Sequence, residues 1–292
     1  MNNISPIDGR YKENVSELER YFSEQALMRH RVMVEVEYLL SLIEHKSLIK
    51  KRSLIKKTLS SLRDLFVEFS EKDFKQIKKI ESKTNHDVNA VVVFISKKLE
   101  KVGRKDLVPL IHFGLTSEDI NNIAYSLMTK GATKNIMLPA IENVLKELKK
   151  LAKRTKSLPM LSLTHGQPAT TTTLGKELAV FISRVERELV LIKEINLLAK
   201  FSGATGSYAA HKIAFPKVNW SVFSKKFIKQ LGLEQSPITT QVEPGDSLAG
   251  LLHSFVRINN VFSDFSLDMW LYISRNIFVQ KNVSGEVGSS TM

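Results

Sequence analysis

Two long runs of apolar residues at helical spacing constrain this chain more than any other feature. The first falls at Leu174, Leu178, Phe181, Val185, Leu189, Ile192, Ile195 and Ala199. The second falls at Leu248, Leu251, Phe255, Ile258, Phe262, Phe265, Met269 and Tyr272. Steps of three and four sustained this long put one apolar stripe along one face of a helix. Each predicted helix runs about 25 residues or more, beyond the 8 to 20 usual in globular proteins. Arg184, Glu186, Arg187 and Glu188 in the first run, and Asp264 and Asp268 in the second, exclude a membrane span. Soluble helices of this kind bury a narrow stripe against one another. The sequence therefore predicts an all-α fold built on a long-helix bundle.

The rest of the chain reads as helical too. Ser16 and Glu19 have capping-box spacing ahead of a helical pattern that runs from Leu18 to Ile43. Further helices are predicted over Ser53–Phe69 and Val88–Leu99. The breaks are polar and rich in turn formers: 113–117, 164–168, 202–207 and 243–246. The helical period lapses around Gly103 and Pro109. That predicts an N-terminal helical domain over 1–105 and a central long-helix domain over 106–292.

Composition bounds the chemistry. The 292 residues include no cysteine, which excludes disulfide scaffolds, thiol nucleophiles and cysteine-held metals. Lys and Arg number 43 against 30 Asp and Glu, a net charge of +13 that favours anionic partners. Six basic residues and no acid lie in Lys46–Lys57. They read as a solvated helix face rather than a nucleic-acid patch, because no aromatic is interleaved for stacking. The first residues show no secretory pattern and no run is apolar enough to span a bilayer, so a cytoplasmic protein is expected, with no membrane partner. None of the seven histidines sits in H-E-x-x-H or H-x-H spacing, and no P-loop or Rossmann glycine pattern occurs. No metal or cofactor is expected.

Four polar clusters, each at a helix break, are candidates for chemistry. In Ser5-Pro6-Ile7-Asp8-Gly9-Arg10-Tyr11, Arg10 and Tyr11 suit a phosphate, although the segment alone reads as a surface turn. Thr84-Asn85-His86-Asp87 sets an acid beside an imidazole, a pair that is more often structural. Thr116-Ser117-Glu118-Asp119 looks like an N-cap with acids in the first turn. It is either plain capping or an anion site made of free amides. Thr164-His165-Gly166-Gln167-Pro168 holds a histidine, the natural proton donor near neutral pH, on a constrained loop that opens the 174 helix. At the other end, Ser289 and Ser290 lie in a Gly/Ser-rich segment, where a hydroxyl acts as a base only if activated.

Taken together, the segments SPIDGRY, TNHD, TSEDINN, THGQPAT, LGKE, TTQVEP and GEVGSSTM occur in this order. In residues and separations the chain resembles the adenylosuccinate lyase family of the fumarase/aspartase superfamily. The resemblance implies a β-elimination that releases AMP and fumarate from adenylosuccinate. It also implies the parallel reaction on the succinyl-carboxamide imidazole ribotide of purine biosynthesis. It assigns His165 as general acid and Ser289 as base. Arg10, Tyr11, Asn85, His86 and Asp87 become nucleotide contacts, and Thr116, Ser117 and Gln241 substrate contacts. It implies a homotetramer with shared active sites. The family runs well past this length, and the chain stops inside its signature loop. The last bundle helices, a C-terminal helical domain and the acid that pairs with His165 are thus expected to be missing, and the chain inactive alone. Rival readings are another superfamily lyase, of argininosuccinate or aspartate type, or a non-catalytic helical assembly fragment.

Overall fold

The computed structural model describes residues 4–45, 62–281 and 283–287. Ser289 and the basic run Lys46–Lys57 lie outside the described residues, as does most of the helix expected over Ser53–Phe69, of which 62–67 is helical. The chain divides into two compact units, Met1–Ala140 with Asn196–Leu248, and Ile141–Ile195 with Ala249–Met292.

In the first unit, the N-terminal helical pattern breaks where the sequence did not announce it. Short helices α1 (Lys12–Val15) and α2 (Glu19–Phe22) precede the 21-residue α3 (Glu24–Glu44). Ser23, not Ser16, caps the long helix: its Oγ accepts from the Ala26 N–H at 3.1 Å. The Ser16 hydroxyl donates to the Glu13 carbonyl instead, so the expected Ser16–Glu19 box does not form. The S-x-x-E spacing pointed to Ser16 because Ser23 has Ala26, not an acid, three residues on; a single side-chain bond is enough to cap here.

α3 is buried on most of its surface. Val32, Val36, Leu39 and Leu40 pack with Ile77 of α4 (Glu71–Thr84) and with Val91, Phe94, Ile95 and Leu99 of α5 (Asp87–Lys101). α4 is absent from the sequence reading, because its apolar stripe (Phe74, Ile77, Ile80) is short and crowded by lysines. What fixes it is its cap: Ser70 and Asp73 form a reciprocal capping box. Leu107, in a 3-10 turn over Lys105–Leu110, and Ile111 join the same core. On its other flank α3 sends Tyr38 into an aromatic cluster with Phe201, Phe223 and Phe227, with ring centroids 4.9 to 6.1 Å apart. α6 (Ser117–Ala132) packs on α3. The segment 196–248 adds α9 (Ala209–Ala214), α10 (Trp220–Gln230) and a two-residue parallel pair, β3 (Leu198–Ala199) with β4 (Glu234–Gln235).

In the second unit the long helices appear as expected, with shifted ends. α7 (Leu138–Arg154) enters it from a π-turn at Thr133–Met137. α8 (Leu174–Glu194) buries the predicted stripe of Leu174, Leu178, Phe181, Val185, Leu189 and Ile192. It stops at Ile195, which turns extended, so Ala199 lies on β3 and not on the helix. α11 (Asp246–Ser274) buries Leu251, Phe255 and Ile258, and Phe265 meets Phe181 edge-on at 5.4 Å. Ion pairs Lys193–Glu142, Arg184–Asp264 and Arg257–Glu188, at 2.7 to 2.9 Å, tie α8 to its two neighbours. Between α7 and α8 the structure adds a feature the helical reading had as a loop: an antiparallel hairpin of β1 (Pro159–Thr164) and β2 (Gln167–Thr173). No helix among the described residues is long and apolar enough to cross a membrane.

Candidate active site

Seven of the candidates lie in the first unit on three tight corners, and Gln241 lies in its 236–245 segment. α4 ends at Asn85, which adopts a left-handed φ of 49°. His86 then caps α5, its Nδ1 accepting from the Asn89 N–H at 3.2 Å. Asp87, half-buried at the first position of α5, accepts from the Val88 N–H and pairs with Arg31 at 2.5 Å. Burial would raise the Asp87 pKa, but the Arg31 guanidinium and the Val88 amide outweigh it and hold the carboxyl below its usual range. Asn85 and His86 remain exposed.

Arg31 is the residue the sequence reading missed. Only 3% exposed on α3, it reaches Asp87 with one nitrogen and donates Nε to Asn121 Oδ1 at 2.9 Å. It thereby joins the TNHD corner to the first turns of α6. The available signal was a charged i,i+4 pair, Arg31 and Glu35, inside an otherwise apolar helix face. Glu35 is fully buried and receives both the His112 backbone N–H at 3.1 Å and its Nδ1 at 2.5 Å. Burial alone would lower the His112 pKa. The bond to Glu35, with the charges of Glu35 and Asp119, raises it.

The third corner is the N-terminus of α6. Thr116 caps it in a box with Asp119, whose Oδ2 accepts from the Thr116 N–H at 2.9 Å. Asp119 does more than cap. Fully buried, it also accepts from the Ser202 and Gly203 amides and pairs with the equally buried Lys200 at 2.8 Å. Lys200 Nζ donates to the Gly203 carbonyl as well, and Asn122 bonds both the N–H and the carbonyl of Lys200. A buried pair with every lone pair answered holds geometry, and removing either partner strands a charge. The 202–206 turn is locked from its other side too: a Cβ on Gly206 (φ +74°) would strike the Thr239 carbonyl. Gln241, in the segment that follows, approaches the Thr116 hydroxyl at 3.5 Å. Glu118 and Glu243 flank this corner, and burial raises the pKa of both carboxyls.

Behind it, Gly114 (φ +69°) lies against the ring of the fully buried His211, leaving no room for a Cβ. Tyr38 donates its hydroxyl to the Phe113 carbonyl at 2.7 Å, and His211 Nε2 lies 3.2 Å from that hydroxyl oxygen. Burial lowers the His211 pKa to about 4, with Lys200 adding to the shift and Asp119 opposing it.

Arg10 and Tyr11 are exposed at the end of a turn closed by the Tyr11 N–H on the Pro6 carbonyl. The guanidinium sits 5.6 Å from the Tyr11 ring centroid. No hydrogen bond or ion pair among the described residues joins this turn to the other corners.

His165 belongs to the second unit. It forms the tip of the hairpin with Gly166; both are left-handed (φ 52° and 73°), as a two-residue mirror-image turn between Thr164 and Gln167 requires. Its ring is exposed and makes no hydrogen bond within the described residues. Among those residues no group of three or more His, Asp or Glu is placed to hold a metal.

The described residues thus combine capped helix ends, a tight hairpin tip that carries His165, and long helices that each bury one apolar stripe. The chain belongs to the family described as Lyase, which it matches over residues 9–292. It is similar to the adenylosuccinate lyases of Dictyostelium discoideum (45% identical) and Escherichia coli K12 (42%), over 99% of this chain and 64% of each relative. The adenylosuccinate lyase of Legionella pneumophila strain Corby is 43% identical over the whole chain and again 64% of the relative. The chain thus spans a little under two thirds of the length of these curated relatives. Its fold is that of a fumarate lyase from Mesorhizobium sp. BNC1, with a TM-score of 0.73 at 20% identity, covering 88% of this chain and 57% of that one.

Proposed function

We propose that this chain is the larger part of a lyase that cleaves adenylosuccinate to AMP and fumarate, and the succinyl-carboxamide imidazole ribotide to its carboxamide and fumarate. The observation that carries this reading is the likeness to proteins of that name along essentially the entire chain, at 42–45% identity. The chemistry asks for a base to take a proton beside a carboxylate, donors for the aci-carboxylate that results, and an acid for the departing nitrogen. The first amides of α6, with Thr116, Ser117 and Gln241, suit a carboxylate; Arg10, Tyr11, Asn85 and His86 suit the nucleotide. Asp87, already neutralised by Arg31, serves this reading by fixing the corner that presents His86. His165 is the acid and Ser289 the base. A serine hydroxyl needs its pKa lowered by closure of its loop before it can act. The elimination calls for no metal or organic cofactor.

A homotetramer with shared sites fits two observations. His165 has no hydrogen-bond partner among the described residues, and α8 and α11 expose Val190, Val256, Leu267 and Trp270 outside their buried stripes. In the whole enzyme we place 1–105 in an N-terminal helical domain and 106–292 in the central one, in the cytoplasm.

The test is fumarate release followed by absorbance. A chain extended by the remaining third of the relatives' length turns over adenylosuccinate, whereas the 292-residue chain is slower by orders of magnitude. Arg10→Lys weakens AMP binding by calorimetry, since an ammonium cannot reproduce the guanidinium fork. No turnover by the extended chain, or turnover only of an argininosuccinate- or aspartate-type substrate, overturns the reading.

A further inference from the structure

The first unit carries a concave surface whose charge the proposed elimination does not use. Between α4 and α5 runs a groove of about 690 Å³, lined by Lys79, Lys83, Lys97, Lys98, Lys101 and Lys105. A single acid, Glu100, shares it. Its floor is apolar, from Ile80 and Phe94, and Gln76 and Thr84 add uncharged polar groups.

The segregation of charge is what needs explaining. Outside the groove α4 pairs its lysines with acids: Lys75 with Glu71 at 2.6 Å, and Lys78 with Glu24 and Glu81 at 2.5 and 2.9 Å. Within the groove only Lys98 is paired, with Asp73 at 2.8 Å, and it is further fixed over the Phe94 ring at 4.9 Å. The other five have no ion pair among the described residues. Lys79 with Lys83, and Lys97 with Lys101, repel at i,i+4 spacing, which weakens a helix unless a counter-charge sits between. Attraction to a helix C-terminus accounts for Lys83, Lys98 and Lys101, which lie in last turns, but not for Lys79, Lys97 or Lys105.

We propose that this groove binds a phosphate chain, either inorganic or the tail of a nucleoside triphosphate. Several ammonium groups along one trough match a ligand with several charges in line, and lysine answers phosphate as a point charge. The volume lies within the range of small-molecule sites. Phe94 is only 2% exposed and covered by Lys98, so no aromatic face is open to stack a base. Recognition therefore goes through the phosphates. This inference does not rest on the lyase reading.

The experiment is calorimetry on the 292-residue chain with inorganic tripolyphosphate, ATP and a single-stranded oligonucleotide as probes. The variants are Lys79→Gln/Lys97→Gln/Lys101→Gln and, as a control of equal charge on α10, Lys225→Gln/Lys226→Gln/Lys229→Gln. Tripolyphosphate and ATP are expected to bind one per chain with similar affinity, falling with salt. The groove variant should weaken both about tenfold or more, while the control leaves them nearly unchanged. No saturable binding, equal loss in both variants, or binding insensitive to the groove variant overturns the proposal. ATP binding without tripolyphosphate binding overturns it in favour of base recognition. An oligonucleotide that binds more tightly through the same lysines overturns it in favour of nucleic acid.

Discussion

The Asp119 corner and the His165 tip are built on opposite principles. Asp119 and Lys200 are fully buried, and their polar atoms find amides, carbonyls and each other inside the first unit. His165 is exposed on a two-residue turn with its ring unanswered. The first arrangement positions Thr116 and Ser117 with what the chain itself supplies. The second fixes a backbone and leaves the side chain's chemistry to whatever comes to meet it. Removing a buried partner therefore damages the fold, whereas replacing an exposed ring without a partner leaves the fold standing.

The largest effects should separate these two. Lys200→Met strands the Asp119 charge and should destabilise the chain by about 3–5 kcal/mol in urea unfolding. His165→Asn, which tolerates the left-handed backbone, should stay within about 0.5 kcal/mol of the parent. In the extended enzyme the same His165→Asn should lower kcat by roughly 10²–10⁴ with KM little changed, as expected of a general acid. A raised KM with normal kcat would remove His165 from that role.

Next in size is pH, where two histidines of the first unit pull in opposite directions. His211 stays neutral in the fold, with a pKa lowered from 6.5 to about 4. The unfolded chain takes up that proton first, so stability present above pH 6.5 is lost as pH falls towards 4, by about 3 kcal/mol at most. His112, raised by Glu35 against the effect of its burial, does the reverse. Its contribution is full below pH 6.5 and is lost as pH rises through its folded pKa. Urea midpoints measured across this range should fall on the acid side, and His211→Phe, which keeps the ring packing, should flatten that limb. His112→Gln should flatten only the alkaline limb. If either variant moves the wrong limb, the assignment fails.

The smallest effect tests a boundary. Ser23→Ala removes the cap of α3 and should cost about 1 kcal/mol, while Ser16→Ala should cost a few tenths at most. Equal effects on the thermal midpoint would return the cap to Ser16.

The buried stripe of α8 was legible residue by residue, because a 3.6-residue period reports directly which face seeks the core. The motif corners were legible as helix breaks, because asparagine, glycine and the hydroxyl residues mark caps. The hairpin around His165 was not. Its strands alternate weakly and are largely exposed, and its turn carries histidine where asparagine would have announced it.

By itself, then, the sequence determined the long helices with a sustained apolar stripe and the polar breaks beside them, since these follow from local spacing and capping chemistry, but not α4 or the break before Ser23. Only the tertiary structure decided which breaks meet. Arg31 joins Asp87 to Asn121 from 56 and 90 residues away, and Asp119 reaches Lys200 across 81. A buried charge is selected by a partner distant in the chain, so no window of neighbouring residues contains the information that pairs them.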